Sequence, residues 1–385
     1  MRLFHLLTTL DVGGAEMHVL TQVRGQRARG HEVRVAYLLG EGTLAPDFEA
    51  TGATVVGCVG KGLGALPKLR EHLAWCQIAH THLLRADFIG AAAALLWGKR
   101  KRLVSGKHND EQALRRPLVS FVHGLVGRVP TRTIVLSDHV GRFIAEHGRV
   151  PESRQERIYY GIDPEPWAAA RAESLADSGA QRRAIRAEFG FGPDDLVLIC
   201  VARFAPQKAH EILLQAFAEA REELAADGPV LRLLLVGDDP FFGYRPKAEA
   251  VANELGLIES GACVFAGIRR DVPKLIAASD VFTMASRWEG LGLVFLEAMA
   301  AGLPILSTKV SAIPEVVVDG ETGRLVPADD APALAAGMLE LARDPGLRKR
   351  WGVAGVQRVA KVFGLDRMVD ETLEVYRGVC GETRS

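Results

Sequence analysis

The sequence predicts an α/β protein folded as two Rossmann-like lobes, each built on a parallel sheet. Three observations lead there. At 385 residues the chain exceeds what one hydrophobic core usually supports. Short apolar runs alternate with helical patterns along its length, the signature of βαβ units. The two halves also open alike, each with a strand, a polar or glycine-bearing loop and then a helix.

In the first half the candidate strands are Leu3–Thr8, Val33–Leu39, Thr54–Val59, Arg102–Ser105 and Thr133–Ser137. In the second they are Leu196–Ala202, Leu231–Val236, Ala262–Ala266, Val281–Met284 and Pro304–Ser307. Between the two series, Ala168–Arg186 is rich in Ala, Arg, Glu and Ser and shows no clear apolar periodicity. With Pro164–Pro166 it predicts a junction crossed by few buried contacts, giving a first lobe at 1–165, a junction at 166–190 and a second lobe at 191–365. The last segment, 366–385, carries Val369, Leu373, Tyr376 and Cys380 at helical spacing. It predicts an end helix able to stay on the second lobe or cross back to the first.

The first strand runs into Asp11-Val12-Gly13-Gly14-Ala15-Glu16, and Leu196–Ala202 runs into Arg203-Phe204-Ala205-Pro206-Gln207-Lys208. Two such openings facing across an interlobe cleft would aim two helix N-termini at one ligand, and helix N-termini favour anions. The ligand is expected outside the carboxyl ends of the strands.

Composition narrows the function. Apolar residues make up 48% of the chain and charged ones 24%, as in globular proteins that dissolve in water. Net charge is zero overall, which argues against a nucleic-acid binder, but residues 1–180 carry +5 and the remainder −5. Ten of the 11 histidines lie in that first stretch. Five cysteines, widely spaced and without a Cys-x-x-Cys, form no metal framework and fit a reduced, cytoplasmic protein. The first residues hold too short an apolar run for a secretory signal, and no run reaches the ~18 residues of a membrane span. One segment, Leu95-Leu96-Trp97-Gly98-Lys99-Arg100-Lys101-Arg102, joins apolar residues to four successive cations. It suits either an anionic membrane surface or a solvated helix end whose cations offset the dipole.

The strongest local signal is Glu289-Gly290-Leu291-Gly292-Leu293-Val294-Phe295-Leu296-Glu297. Two carboxylates flank a glycine-bearing turn that enters a helical run. If the segment were helical throughout, they would stand ~12 Å apart, about the span from sugar to ribose in a nucleotide sugar. The glycines let backbone N–H groups approach phosphates between the acids. The bland alternative is two solvated glutamates. Gly290-x-Gly292-x-x-Phe295 misses the dinucleotide fingerprint, because its third position needs a small residue. Arg203 and Lys208 flank Pro206 just after a strand, where a planar fork and a point charge suit phosphate oxygens. Two fixed cations there can stabilise a departing diphosphate without a metal, and the chain contains no Asp-x-Asp.

Taken in order, several motifs resemble the retaining GT-B glycosyltransferases of family 4. They are Gly13-Gly14-Ala15-Glu16, Arg29-Gly30-His31-Glu32-Val33, His80-Thr81-His82, Phe265-Ala266-Gly267-Ile268-Arg269 and Ser286-Arg287-Trp288-Glu289-Gly290 through Glu297-Ala298-Met299-Ala300-Ala301-Gly302-Leu303-Pro304. The resemblance implies a donor site for a nucleoside diphosphate sugar, with no cofactor and no metal. Gly13 and Gly14 would lie at the donor phosphates, Arg203 and Lys208 would bind the diphosphate, and Glu289 would hold sugar hydroxyls. Gly290 and the backbone of Leu291 and Gly292 would meet the phosphates, and Glu297 the ribose. His108, just past a strand end, matches the histidine that in this family reaches the reacting sugar.

Three positions depart from the family pattern. Ser311-Ala312 replace two glycines before Ile313-Pro314-Glu315, Ala285 replaces the usual proline, and Leu291 stands where Phe is frequent. None removes a charge. The resulting expectation is transfer of a glycosyl group from a nucleoside diphosphate sugar to a hydroxyl of a glycan, lipid-linked or small-molecule acceptor. Its rivals are a sugar-nucleotide epimerase of the same architecture and a non-catalytic sugar-binding protein.

Overall fold

The computed structural model describes residues 1–98, 102–226, 228–239 and 243–381. Of the basic segment, Lys99, Arg100 and Lys101 lie outside the described residues, and Arg102 is exposed. The chain divides into two compact units, Met1–Ile162 with Phe363–Ser385, and Asp163–Val362.

The sheet of the first unit contains β1 (Arg2–Leu7), β2 (Glu32–Tyr37), β3 (Thr54–Cys58), β4 (Ile78–His82), β5 (Leu103–Lys107), β6 (Arg132–Val135) and β7 (Gln155–Arg157). All pairs are parallel and the order is β3-β2-β1-β4-β5-β6-β7. The sheet of the second unit contains β8 (Leu196–Val201), β9 (Leu231–Val236), β10 (Cys263–Gly267), β11 (Val281–Met284), β12 (Ile305–Thr308) and β13 (Gly323–Val326). It too is parallel, ordered β10-β9-β8-β11-β12-β13. Near-continuous burial along β1, β4, β5, β8 and β11 follows from helices covering both faces of each sheet.

The segment expected to be a junction is instead part of the second unit. Residues 165–188 form helices Glu165–Leu175 and Ala180–Glu188, which pack on helix Val272–Ala278. Their arginines look solvated in sequence, yet they cap the carboxyl end of that helix. Arg186, 2% exposed, donates to the carbonyls of Ala278, Pro193 and Asp195 and to Asp280 Oδ2 at 2.6–2.9 Å. Arg182 takes Asp280 Oδ1 at 2.5 Å, and Arg171 and Ser174 take the Ala277 carbonyl. Every orphan carbonyl satisfied this way removes a desolvation cost, so a polar composition builds a buried contact.

The final helix, Leu365–Cys380, belongs to the first unit. Met368, Val369, Leu373 and Tyr376 enter one core cluster with Leu3, Val19, Val23 and Val33. Gln22 Nε2 donates to Tyr376 Oη at 3.2 Å, and Arg29 pairs with Asp366 and Asp370.

Candidate active site

In the second unit the strand order reverses between β8 and β11, and the loops leaving their carboxyl ends carry Arg203, Lys208 and Glu289. Reversal at such a point opens a crevice for ligands. Lys208 Nζ lies 2.5 Å from Glu289 Oε2, with both side chains 12% exposed. Ser286 Oγ reaches the same oxygen at 3.4 Å, and Lys208 touches Met284 Sδ at 3.8 Å. The two loops are laced together. Gln207 Nε2 donates to the Trp288 carbonyl at 2.7 Å, and the Arg287 N–H to the Gln207 carbonyl at 2.8 Å. Arg287 in turn bridges Glu211 and Asp329. The guanidinium of Arg203 is exposed and forms no ion pair among the described residues.

Directly after Lys208, buried Ala209 holds φ 46° and ψ 49°. A left-handed alanine costs on the order of 1–2 kcal/mol, held here by its place between the turn Pro206–Lys208 and helix His210–Leu224.

Residues 289–297 are not helical throughout. Glu289 to Gly292 form a loop, and the helix runs only from Leu293 to Ala300, so the 12 Å helical rise does not apply. Gly292 has φ 79°, and a Cβ added there would stand 2.5 Å from the Phe295 ring. Only glycine makes that turn. Gly290 is buried and the Leu291 side chain is 1% exposed, filling core and leaving its backbone for contact. Glu297 is partly buried and its carboxyl has no hydrogen-bond partner among the described residues. Burial raises its pKa to about 7.

In the first unit, Gly13 precedes helix Gly14–Ala28. A Cβ on Gly13 would strike Glu16 Oε2 at 2.5 Å, whereas one on Gly14 would meet open space. His108 follows β5. Its Nδ1 is 2.6 Å from Tyr160 Oη, and its Nε2 is 2.9 Å from His82 Nδ1. His82 Nε2 meets His5 Nδ1 at 2.9 Å, and His5 Nε2 meets Gln26 Oε1 at 2.9 Å.

Donor and acceptor roles then run one way. Tyr160 donates to His108, which donates to His82, then to His5, and finally to the Gln26 carbonyl, each imidazole carrying its proton on Nε2. Burial keeps all three rings neutral, lowering His5 and His108 to about 4 and His82 well below its usual value. Gly106 lets the rings gather, because a Cβ there would sit 2.9–3.0 Å from nitrogens of His80, His82 and His108.

Both ring nitrogens of His108 are therefore occupied. The expectation that its imidazole hydrogen-bonds a sugar requires it to release Tyr160 or His82. This chain of rings escaped the sequence reading. Its signal was present in His5 and His80-x-His82, since parallel register sets His5 beside His80 and the pleat puts His82 on the same face. His5, His80 and His82 also bring ring nitrogens within 4.8 Å of one another, and His80 Nδ1 lies 2.6 Å from Tyr376 Oη.

Two family models match, "Glycosyltransferase Family 4" over residues 12–166 and "Glycosyl transferases group 1" over residues 195–344. The chain belongs to the family 4, group 1 glycosyltransferases, enzymes of the GT-B fold. It is 30% identical over 324 residues to a D-inositol 3-phosphate glycosyltransferase of Streptomyces coelicolor, covering 78% of this chain and 68% of that protein. It is 29% identical over 295 residues to the GDP-mannose-dependent alpha-(1-6)-phosphatidylinositol monomannoside mannosyltransferase of Mycolicibacterium smegmatis, covering 71% of each. Among solved structures, Anabaena HepE in complex with UDP superimposes with a TM-score of 0.85 at 21% identity, covering 98% of this chain and 100% of that one. Among the described residues no helix is long and apolar enough to cross a membrane.

Proposed function

We propose that this glycosyltransferase takes its sugar from a nucleoside diphosphate donor and passes it to an acceptor hydroxyl with retention of anomeric configuration. The observation that carries the reading is the largely buried Lys208–Glu289 pair at the β8/β11 switch point, with exposed Arg203 on the same loop as Lys208. Lys208 and Arg203 receive the diphosphate, and Glu289, released from Lys208, accepts sugar hydroxyls. The backbone at Gly290, Leu291 and Gly292 and the N-terminus of helix Leu293–Ala300 face phosphate, and Glu297 takes the ribose. The GDP-mannose dependence of the Mycolicibacterium smegmatis relative, and the UDP bound in the structural neighbour HepE, support a nucleotide donor. In the first unit the same reading assigns Gly13 and Gly14 to the phosphates and His108 to the reacting sugar.

Transfer follows a same-face route. The bond from the anomeric carbon to the diphosphate breaks while the acceptor oxygen bonds to that carbon on the same side. The acceptor proton passes to the departing diphosphate. Fixed cations and helix N–H groups stabilise its charge.

Release of nucleoside diphosphate, measured with and without acceptors, tests the reading, and acceptor-independent consumption of donor would refute it. Activity is expected to persist in excess chelator, and the anomeric coupling constant of the product is expected to match the donor's. An inverted product, or activity abolished by chelator and restored by a divalent ion, would overturn it.

His108→Ala is expected to lower kcat tenfold or more while changing donor affinity less, because the ring acts on the sugar and not on the nucleotide. A stability loss with full specific activity would make His108 purely structural.

A further inference from the structure

We propose that helix Pro117–Val126 of the first unit is a docking face for an anionic lipid surface. The helix exposes Leu118 (74%), Phe121 (53%), Val122 (40%) and Leu125 (57%). These positions follow the i, i+3, i+4, i+7 spacing that lines one helix face, so four large apolar side chains form a single stripe in water. A stripe of this kind on a folded unit marks an interaction surface. Its opposite side is anchored. Ser120, His123 and Gly124 are buried, and His123 Nδ1 donates to the Gly148 carbonyl at 2.6 Å.

The surroundings choose the partner. From Gln112 to Ser137 the chain holds four arginines and no acidic residue. Arg115, Arg116 and Arg128, at the two ends of the helix, are exposed and have no carboxylate partner among the described residues. Exposed Arg149 lies with its guanidinium 5.9 Å from the centre of the Phe121 ring. Helix Leu84–Leu96, which packs against this one, ends in Leu95 and Leu96, 56% and 64% exposed. Apolar side chains ringed by uncompensated arginines match the acyl boundary and the charged headgroups of an anionic bilayer. A second protein copy would set the same arginines against each other.

The test is sedimentation of the untagged full chain with phosphatidylcholine vesicles, with and without 30 mole per cent phosphatidylglycerol. The wild type is expected to partition onto the anionic vesicles and to release at high salt. Leu118→Ser with Phe121→Ser should weaken binding at least tenfold, with unchanged circular dichroism and unchanged donor binding. Each cation near such a surface is worth roughly fivefold, so changing Arg115, Arg116 and Arg128 to Gln should cost about a hundredfold. Wild type that ignores anionic vesicles at low salt overturns the proposal. So does concentration-dependent dimerisation abolished by Phe121→Ser, since a second copy would then cover the face.

Discussion

Glu297→Gln is expected to stabilise the ligand-free protein above pH 7 while weakening its hold on nucleotide. Burial without a partner raises this carboxyl from 4.5 to about 7. A raised carboxyl pKa means that the folded state binds a proton which the unfolded state has already lost. Stability from this group is therefore full below pH ~4.5, falls as pH rises, and is gone above pH ~7. The amplitude is on the order of 3 kcal/mol. Glutamine keeps the shape and never ionises, so its melting curve should lose that pH dependence. Proposed ribose hydroxyls, by contrast, prefer the carboxylate, and replacing it should weaken nucleotide binding by about tenfold or more. A wild-type melting profile indistinguishable from that of Glu297→Gln between pH 5 and 8 would show that the carboxyl is not strained.

Lys208→Met should have a still larger effect on activity and should also destabilise the fold. The ammonium faces Glu289 at 2.5 Å with each side chain only 12% exposed. Removing one member of a largely buried pair leaves a poorly compensated charge, at a cost approaching the roughly 3 kcal/mol at the low end for fully buried pairs. Removing both, in Lys208→Met with Glu289→Gln, should return most of the stability and none of the activity. The catalytic loss in the single variant should reach 10²-fold or more, because the departing diphosphate would lose one of its two proposed cationic partners. A double variant as unstable as Lys208→Met alone would dismiss the pair as the source of the instability.

Elements of the fold differ in how far the sequence reveals them. Strands dominated by apolar residues, such as β8, β9 and β11, were legible in the sequence because both faces are buried. Three strands were not. β4 reads Ile-Ala-His-Thr-His, and its buried polar residues find separate partners, His82 in the imidazole chain, His80 at Tyr376 and Thr81 at Asp87. β7 is three polar or charged residues at a sheet edge, and β13 opens on a glycine. The arginines of residues 171–186 misled for a related reason, since composition cannot tell a solvated guanidinium from one capping a helix.

At the site, residue types and spacing named Lys208, Glu289 and Glu297, but not that the first two neutralise each other. That pairing depends on β8 and β11 being neighbours, a fact of topology and not of spacing. Ser311 shows the reverse. Its φ of 47° lies in the left-handed region that favours glycine, so the serine that departs from the expected glycine pair sits at a point of local strain.

The placement of helix Leu365–Cys380 bears on the order of events during synthesis. Residues 163–362 are contiguous, so the second unit can finish folding as soon as that stretch has left the ribosome. The first unit cannot. Its core lacks Met368, Val369, Leu373 and Tyr376 until the last part of the chain emerges. Until then the face of helix Gly14–Ala28 that carries Gln22 and Gly25, with Arg29 at its end, stays uncovered, and Tyr376 is not there for His80 or Gln22. Although translated first, the amino-terminal unit is the later one to mature, and for that interval it is the part of the nascent chain most in need of a chaperone.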